Sequence, residues 1–269
     1  MRLARASTVV FLCFVLVFST SAQQSPTSAP SVTAAGLLQN AFTALAGSNN
    51  VTDVTLTGTT ERIAGSDDES GTATLKAVSG ASLLNLSFAS GTRSEVLNTS
   101  ATPPAGSWSG PDGISHAISY HNLLTDPGWF FPLFVAAHGL SASGYVVTYV
   151  GQETFNSVAV QHLTISQTFS SLPSDTSATF QHLSQLDLYL DTTSFLPVAL
   201  AFNIHPDDNM LLDIPIQVQF SDYRAVNGVQ VPFHVQKYLN NGLILDLQFQ
   251  SVVFNSGLSA TAFAVPSPT

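Results

Sequence analysis

From Tyr145 to Val253, apolar residues recur at every second position through seven runs: Tyr145–Val150, Val158–Ile165, Leu186–Leu190, Phe195–Ile204, Ile214–Phe220, Val231–Leu239 and Leu243–Val253. A period of two sends successive side chains to opposite faces of a strand. Most of the connections are too short for a parallel crossover, so neighbouring runs pair antiparallel. Asn227-Gly228 and Asn241-Gly242 each separate two runs. Both residues of an Asn-Gly pair accept positive φ, which is what a two-residue hairpin demands. The second half of the chain is thereby committed to an antiparallel meander.

The same period appears upstream. Val54, Leu56 and Gly58 alternate with threonines, a turn follows at Gly65-Ser66-Asp67-Asp68, and further runs occupy Gly71–Val78, Leu83–Phe88 and Arg93–Leu97. About eleven strands with no linker after Ser48 predict one large curved antiparallel sheet in a mainly β (α+β) domain. A twisted sheet of that size curls into an incomplete barrel, and its concave face must be filled by helices or by a ligand. One amphipathic helix is predicted over 31–48, where Ala34, Leu37, Leu38, Ala41, Phe42 and Leu45 recur at steps of three and four. Ser31 or Thr33 serves as its cap and Gly47 as its stop.

The middle of the chain breaks the rhythm. Residues 99–113, with Pro103, Pro104, Gly106, Gly110, Pro111 and Gly113, predict a long loop holding one short strand at Trp108. Between His121 and Leu140, Asp126-Pro127 as an opening pair and Gly139 as a stop predict one or two short helices packing in or over the concave face. Trp129, Phe130, Phe131 and Phe134 make this stretch too aromatic to be left in water. They are the candidate ligand-binding residues, either as a lid over a cavity or as a plug that fills it.

Arg2 and Arg5, an apolar run from Val9 to Phe18 and the small residues Thr20-Ser21-Ala22 form the three-part pattern of a secretory signal cleaved near Ala22. The expected organisation is a signal over 1–22, a flexible tether over 23–32 and a single half-barrel domain over 33–269. The only cysteine, Cys13, leaves with the signal, so the mature chain has no disulfide or thiolate ligand. No stretch reaches the ~20 apolar residues of a membrane span. Without Arg2 and Arg5, five basic residues face 17 acidic ones, a formal charge of −12. Five dispersed cations build no phosphate-neutralising stripe, which excludes nucleic acid as a partner.

Three phrases near the C-terminus carry a family resemblance. They are Leu188-Tyr189-Leu190-Asp191 before Phe195-Leu196-Pro197; Phe220-Ser221-Asp222-Tyr223-Arg224 before Asn227-Gly228 and Val231-Pro232; and Val253-Phe254-Asn255 before Leu258, Phe263 and Pro266. Together they resemble the closing meander of the LolA-like superfamily, exported carriers of outer-membrane lipoproteins and their relatives, most strongly over 184–266. The resemblance implies an open half-barrel closed by helices around an apolar cavity for acyl chains or another greasy ligand. The chain exceeds the usual length of the class through residues 99–142 and 168–183.

Catalytic and metal motifs were sought among the remaining polar residues. His116 and His121 are five apart and His205 lies near Asp207 and Asp208, but no zinc or calcium spacing appears. His162, His182 and His234 read as histidines bonded to a neighbour in or beside strands. Gly106-Ser107-Trp108-Ser109-Gly110 places Trp where a nucleophile elbow needs Ser. Asp67-Asp68-Glu69 and Asp207-Asp208 stand in turn contexts, where Asp bonds the local backbone. The expectation is therefore an exported, periplasmic binding or carrier protein, not an enzyme, without cofactor or metal. Its partner would be a hydrophobic small molecule or lipoprotein acyl chains. An envelope module that recognises a protein partner and a secreted hydrolase are the alternatives.

Overall fold

The computed structural model describes residues 33–125, 128–140 and 144–267. The expected signal, the tether and the Asp126-Pro127 pair lie outside them. Thirteen strands form a single antiparallel sheet: β1 (Asp53–Ala64), β2 (Asp67–Val78), β3 (Ala81–Phe88), β4 (Gly91–Asn98), β5 (Ala105–Ser109), β6 (Ser115–Ala117), β7 (Tyr145–Phe155), β8 (Val158–Gln167), β9 (Leu186–Asp191), β10 (Pro197–Ile204), β11 (Ile214–Val226), β12 (Val229–Leu239) and β13 (Gly242–Phe254). Their order is β6-β5-β4-β3-β2-β1-β13-β12-β11-β10-β9-β8-β7. Two meanders therefore meet where β1 pairs β13, and the sheet stays open between β6 and β7.

This topology has a consequence for the middle of the chain. Because β6 and β7 are opposite edges, the chain between them joins one edge to the other. Its described residues 128–140 lie on the apolar face, and the main core forms there. The β1 positions Val54 and Leu56, Leu75 of β2, Leu188 of β9, Val218 of β11, Val235 of β12 and Leu247 of β13 all point into it. Register explains this shared face, since Leu56 stands opposite Leu75, Leu188 opposite Leu200 and Val235 opposite Leu247.

Helix α1 (Ala34–Ala46) packs in this core against β7, β12 and α2 (Pro132–Leu140). Thr33 Oγ1 caps α1 by accepting from the Gly36 amide, and Gly47 ends it at φ 59°. Pro132 opens α2, where its missing N–H costs nothing. Gly139 lies inside α2 and not at its stop: a Cβ there would come within 2.7 Å of Leu38 Cδ2, so the glycine allows the two helices to approach.

The opposite face carries a small second cluster. After β13 the chain turns onto the outside of β3 and β4, where Phe263 packs with Ala81 and Val96. Buried Asp53 holds that turn, accepting from Ser256 N at 2.8 Å, Ser256 Oγ at 2.9 Å and Gly257 N at 2.9 Å. Burial raises the Asp53 pKa, but these bonds and one from the Leu258 amide outweigh it and hold the carboxyl below its ordinary value.

Three local expectations need correction. The sheet has thirteen strands against about eleven expected: the short strand expected at Trp108 joins it as β5, and β6 adds a three-residue run with little alternation. Residues 168–183 contain a third helix, α3 (Ser174–Leu183), whose one buried residue is Leu183; so narrow an apolar stripe leaves no periodic signal. The hairpin between β12 and β13 turns on Asn240 and Asn241, at φ 47° and 65°, and not on Asn241-Gly242. Asn supports the left-handed conformation twice here, and Gly242 becomes the first residue of β13.

Candidate functional site

The concave face is filled unevenly. Over one part of it, residues 128–140 and α1 close the sheet with large side chains. Trp129 is 3% exposed, Phe131 fully buried, and Phe130 and Phe134 buried beside them. The rings meet edge to face, Trp129 with Phe130 at 5.5 Å and Phe131 with Phe134 at 5.0 Å between centroids. That is a preferred geometry for aromatic pairs.

Beyond Trp129 the same face lies open in three adjoining recesses. One, of about 230 Å³, is walled by Leu97, Trp108, Ile118, Trp129, Phe202, Ile204 and Lys237. A second, of about 560 Å³, shares Lys237 and adds Leu86, Leu239, Leu245, Arg62 and Arg93. The third, of about 300 Å³, shares Arg62, Arg93 and Leu86 with the second and Trp108 with the first. The shared walls make them one groove lined from β1, β3–β5, β10, β12 and β13. Of the four aromatic residues singled out in the sequence, Trp129 forms part of the groove, while Phe130, Phe131 and Phe134 belong to the packed core beside it.

The groove holds three of the five basic residues among those described. Their positions follow from strand parity. Arg62 continues the inward row Val54, Leu56, Gly58 and Thr60 of β1, and Lys237 continues Val229, Val231, Phe233 and Val235 of β12. Across the sheet Arg62 stands opposite Leu245, which stands opposite Lys237. Glu69 bridges two of the cations, 3.6 Å from Arg62 and 3.3 Å from Arg93. Hydrogen bonds from Ser90 and Arg93, with the nearby arginine charges, hold its carboxyl below the ordinary range. Glu69 therefore belongs to a paired strand and an ion-pair network, not to the solvated turn expected for it. Lys237 instead places its Nζ 4.4 Å over the Trp129 ring. Charges breaking an inward apolar row are a signal that sequence could have supplied; counting them as dispersed missed it.

The convex face has a different chemistry. With few Lys or Arg available, histidines bridge its carboxylates. His162 sits between Glu153 at 2.9 Å and Asp187 at 2.8 Å. His234 contacts Asp246 at 2.9 Å through Nε2 and Ser221 at 3.1 Å through Nδ1. Ser221, His234 and Asp246 have the connectivity of a nucleophile, base and acid. Yet they come from three consecutive strands, β11, β12 and β13, flat on the sheet, and none of the groove's recesses opens onto them. A cross-strand polar ladder accounts for this arrangement, whereas acyl transfer needs a substrate cavity and oxyanion donors beside the nucleophile. His205 bonds Asp213, and not Asp207 or Asp208 beside it in sequence.

Neither a protein-family model nor a curated protein matches the sequence. Solved structures do. A domain from Vibrio parahaemolyticus named for outer membrane lipoprotein sorting matches at TM-score 0.51 and 14% identity, over 84% of this chain and 95% of that one. A LolA superfamily protein from Nitrosomonas europaea matches at TM-score 0.53 and 13% identity, over 87% and 98%. A DUF1329 family protein from Desulfovibrio piger matches at TM-score 0.52 and 9% identity, over 86% and 95%. At these identities the likeness is one of fold.

Proposed function

The chain has the LolA-like fold, and from that premise we propose that it is an exported, periplasmic carrier that holds a hydrophobic ligand, such as a lipid or the acyl chains of a lipoprotein, in the groove. The observation that carries this reading is the groove itself: a concave face left uncovered beyond Trp129 and lined by Leu86, Leu97, Leu239, Leu245, Phe202 and Ile204. Each methylene moved there from water contributes about 0.8 kcal/mol, so a single acyl chain is held without any polar contact. Trp129 sets one end of the groove, backed by Phe130, Phe131 and Phe134 in the core behind it. Lys237, Arg62 and Arg93 stand along it, where a polar end of the ligand would lie.

Native mass spectrometry of the exported protein, followed by lipid extraction, tests the reading. Co-purified lipid, or saturable uptake of a fluorescent fatty acid, is the expected result. A protein that emerges ligand-free and also takes up no fatty acid overturns it. A second reading, an envelope module that docks a protein partner, has one observation in its favour: Met210, Leu211 and Leu212 form an exposed apolar run before β11, with Leu211 74% exposed.

A further inference from the structure

The last turn of α3 and the two ends of the β10–β11 connection converge at one end of β10. His182 lies in the last turn of α3, His205 follows β10 and Asp213 precedes β11. Both imidazoles aim Nε2 at the same carboxylate oxygen, Asp213 Oδ1, each at 3.0 Å. All three donor atoms lie within 4.8 Å of one another. We propose that His182, His205 and Asp213 form a zinc site that ties the end of α3 to both ends of the β10–β11 connection.

Hydrogen bonding and metal binding draw on the same Nε2 atoms. A neutral imidazole has one N–H and one lone pair. With the N–H on Nδ1, each Nε2 lone pair is free for a metal, and His205 Nδ1 is buried without a hydrogen-bond partner in either tautomer. His205 is only 4% exposed, and a neutral imidazole offers a metal one lone pair. A divalent ion takes the place of both Nε2 protons and accepts both nitrogens together with the carboxylate. On tetrahedral zinc, ligands at 2.0–2.2 Å stand about 3.3 Å from one another; the two 3.0 Å separations to Asp213 widen slightly, and the separation between the two imidazole nitrogens, within 4.8 Å, closes to match.

The support around the site is rigid. Asn122 clamps the His205 backbone from both sides, accepting from its N–H at 2.9 Å and donating to its carbonyl at 2.8 Å. His121 meets His205 edge-on at 5.9 Å between centroids and closes the buried side. His182 and Asp213 face solvent, which leaves the remaining coordination position to water. Two imidazoles and one carboxylate select a zinc-class ion over calcium or magnesium, which prefer all-oxygen sites. The other His–carboxylate groups differ in geometry: the two nitrogens of His162 reach different carboxylates, and those of His234 reach Asp246 and Ser221.

The purified chain, stripped with a chelator, is titrated with zinc chloride alone by calorimetry and then melted with and without zinc. One zinc per chain and a raised melting temperature are expected. Asp213→Asn and His182→Ala, both at solvent-facing positions, are expected to melt as the metal-free parent does while weakening zinc binding by at least about tenfold. His234→Ala, on the convex face, is expected to bind as the parent does. Absence of saturable binding by the parent overturns the proposal, as does one-to-one binding that survives the Asp213→Asn/His182→Ala double variant.

Discussion

The two parts of the concave face are built from the same strands with the same alternation, yet one is solid and the other hollow. Where the edge-to-edge segment crosses, Phe130, Phe131, Phe134 and α1 complete the core. Beyond Trp129 no such side chains are supplied among the described residues, and the inward rows there carry Arg62, Arg93 and Lys237. The difference teaches that alternation decides only which face is apolar. What covers that face is decided by one long connection, and charge is admitted to an inward row only where solvent or a ligand's polar end can reach it.

Phe131→Ala attacks the plug directly. Removing a fully buried ring from a packed core is expected to cost about 3–5 kcal/mol, read as a lowered urea midpoint at unchanged slope. A cost below ~1 kcal/mol would mean that the aromatic segment is loosely held and behaves as a lid, which would erase the distinction between the two parts.

Two carboxylates extend the contrast, one on the opposite face of β1 beneath the packed part and one in the groove. Asp53, beside core residue Val54, is buried under backbone donors, whereas Glu69 pairs with arginines on the open groove. Both are held below their ordinary pKa, so each contributes stability that is present above its unfolded value and lost as pH falls through the folded one. Asp53→Asn is expected to cost about 1–3 kcal/mol at neutral pH, since the amide cannot accept on both sides as the carboxylate does. It should also flatten the loss of stability below pH ~4. Glu69→Gln is expected to do much less in the same acid titration. Equal effects would show that the open end is as structurally committed as the packed one.

How much of this was legible in the sequence follows the same division. Alternation and turn residues identified the sheet, the opening helix and the unusual character of residues 121–140, because periodicity and positive-φ preference are local properties. The register that places Arg62, Leu245 and Lys237 in one row is not local, although the parity of each residue on its own strand is. Strand β6 and helix α3 escaped because they are held by neighbours and have little amphipathic signal of their own, whereas the short strand expected at Trp108 formed as β5. The convergence of His182, His205 and Asp213 depends on where α3 ends against the β10–β11 connection, and no spacing motif encodes it. For the aromatic stretch, sequence identified burial but could not separate Trp129, which borders the groove, from Phe130, Phe131 and Phe134, which do not.

Lys237 joins the two parts, since its ammonium rests on Trp129. Lys237→Met keeps most of the stem and removes the charge, so the expected cost is only about 0.5–1 kcal/mol. Tryptophan emission reports it if Trp108, which is 47% exposed, is first replaced by Phe so that Trp129 alone is read. An unchanged Trp129 spectrum would mean that the cation does not couple the groove to the plug.

The smallest effect on stability is expected where the comparison makes its strongest claim. Leu239 faces the second recess on the inward side of β12, opposite Ile216 of β11. If that recess of about 560 Å³ is truly unfilled, a larger ring has somewhere to go, and Leu239→Trp avoids the 1–3 kcal/mol penalty usual for overpacking a finished core. Denaturation should then move by less than about 1 kcal/mol, while fatty-acid uptake falls because the new ring occupies the ligand's space. The same Leu→Trp exchange at Leu188, fully buried in the packed part, provides the internal control and should destabilise strongly. If both substitutions destabilise alike, the groove is already closed in solution and the two parts of the face are one core.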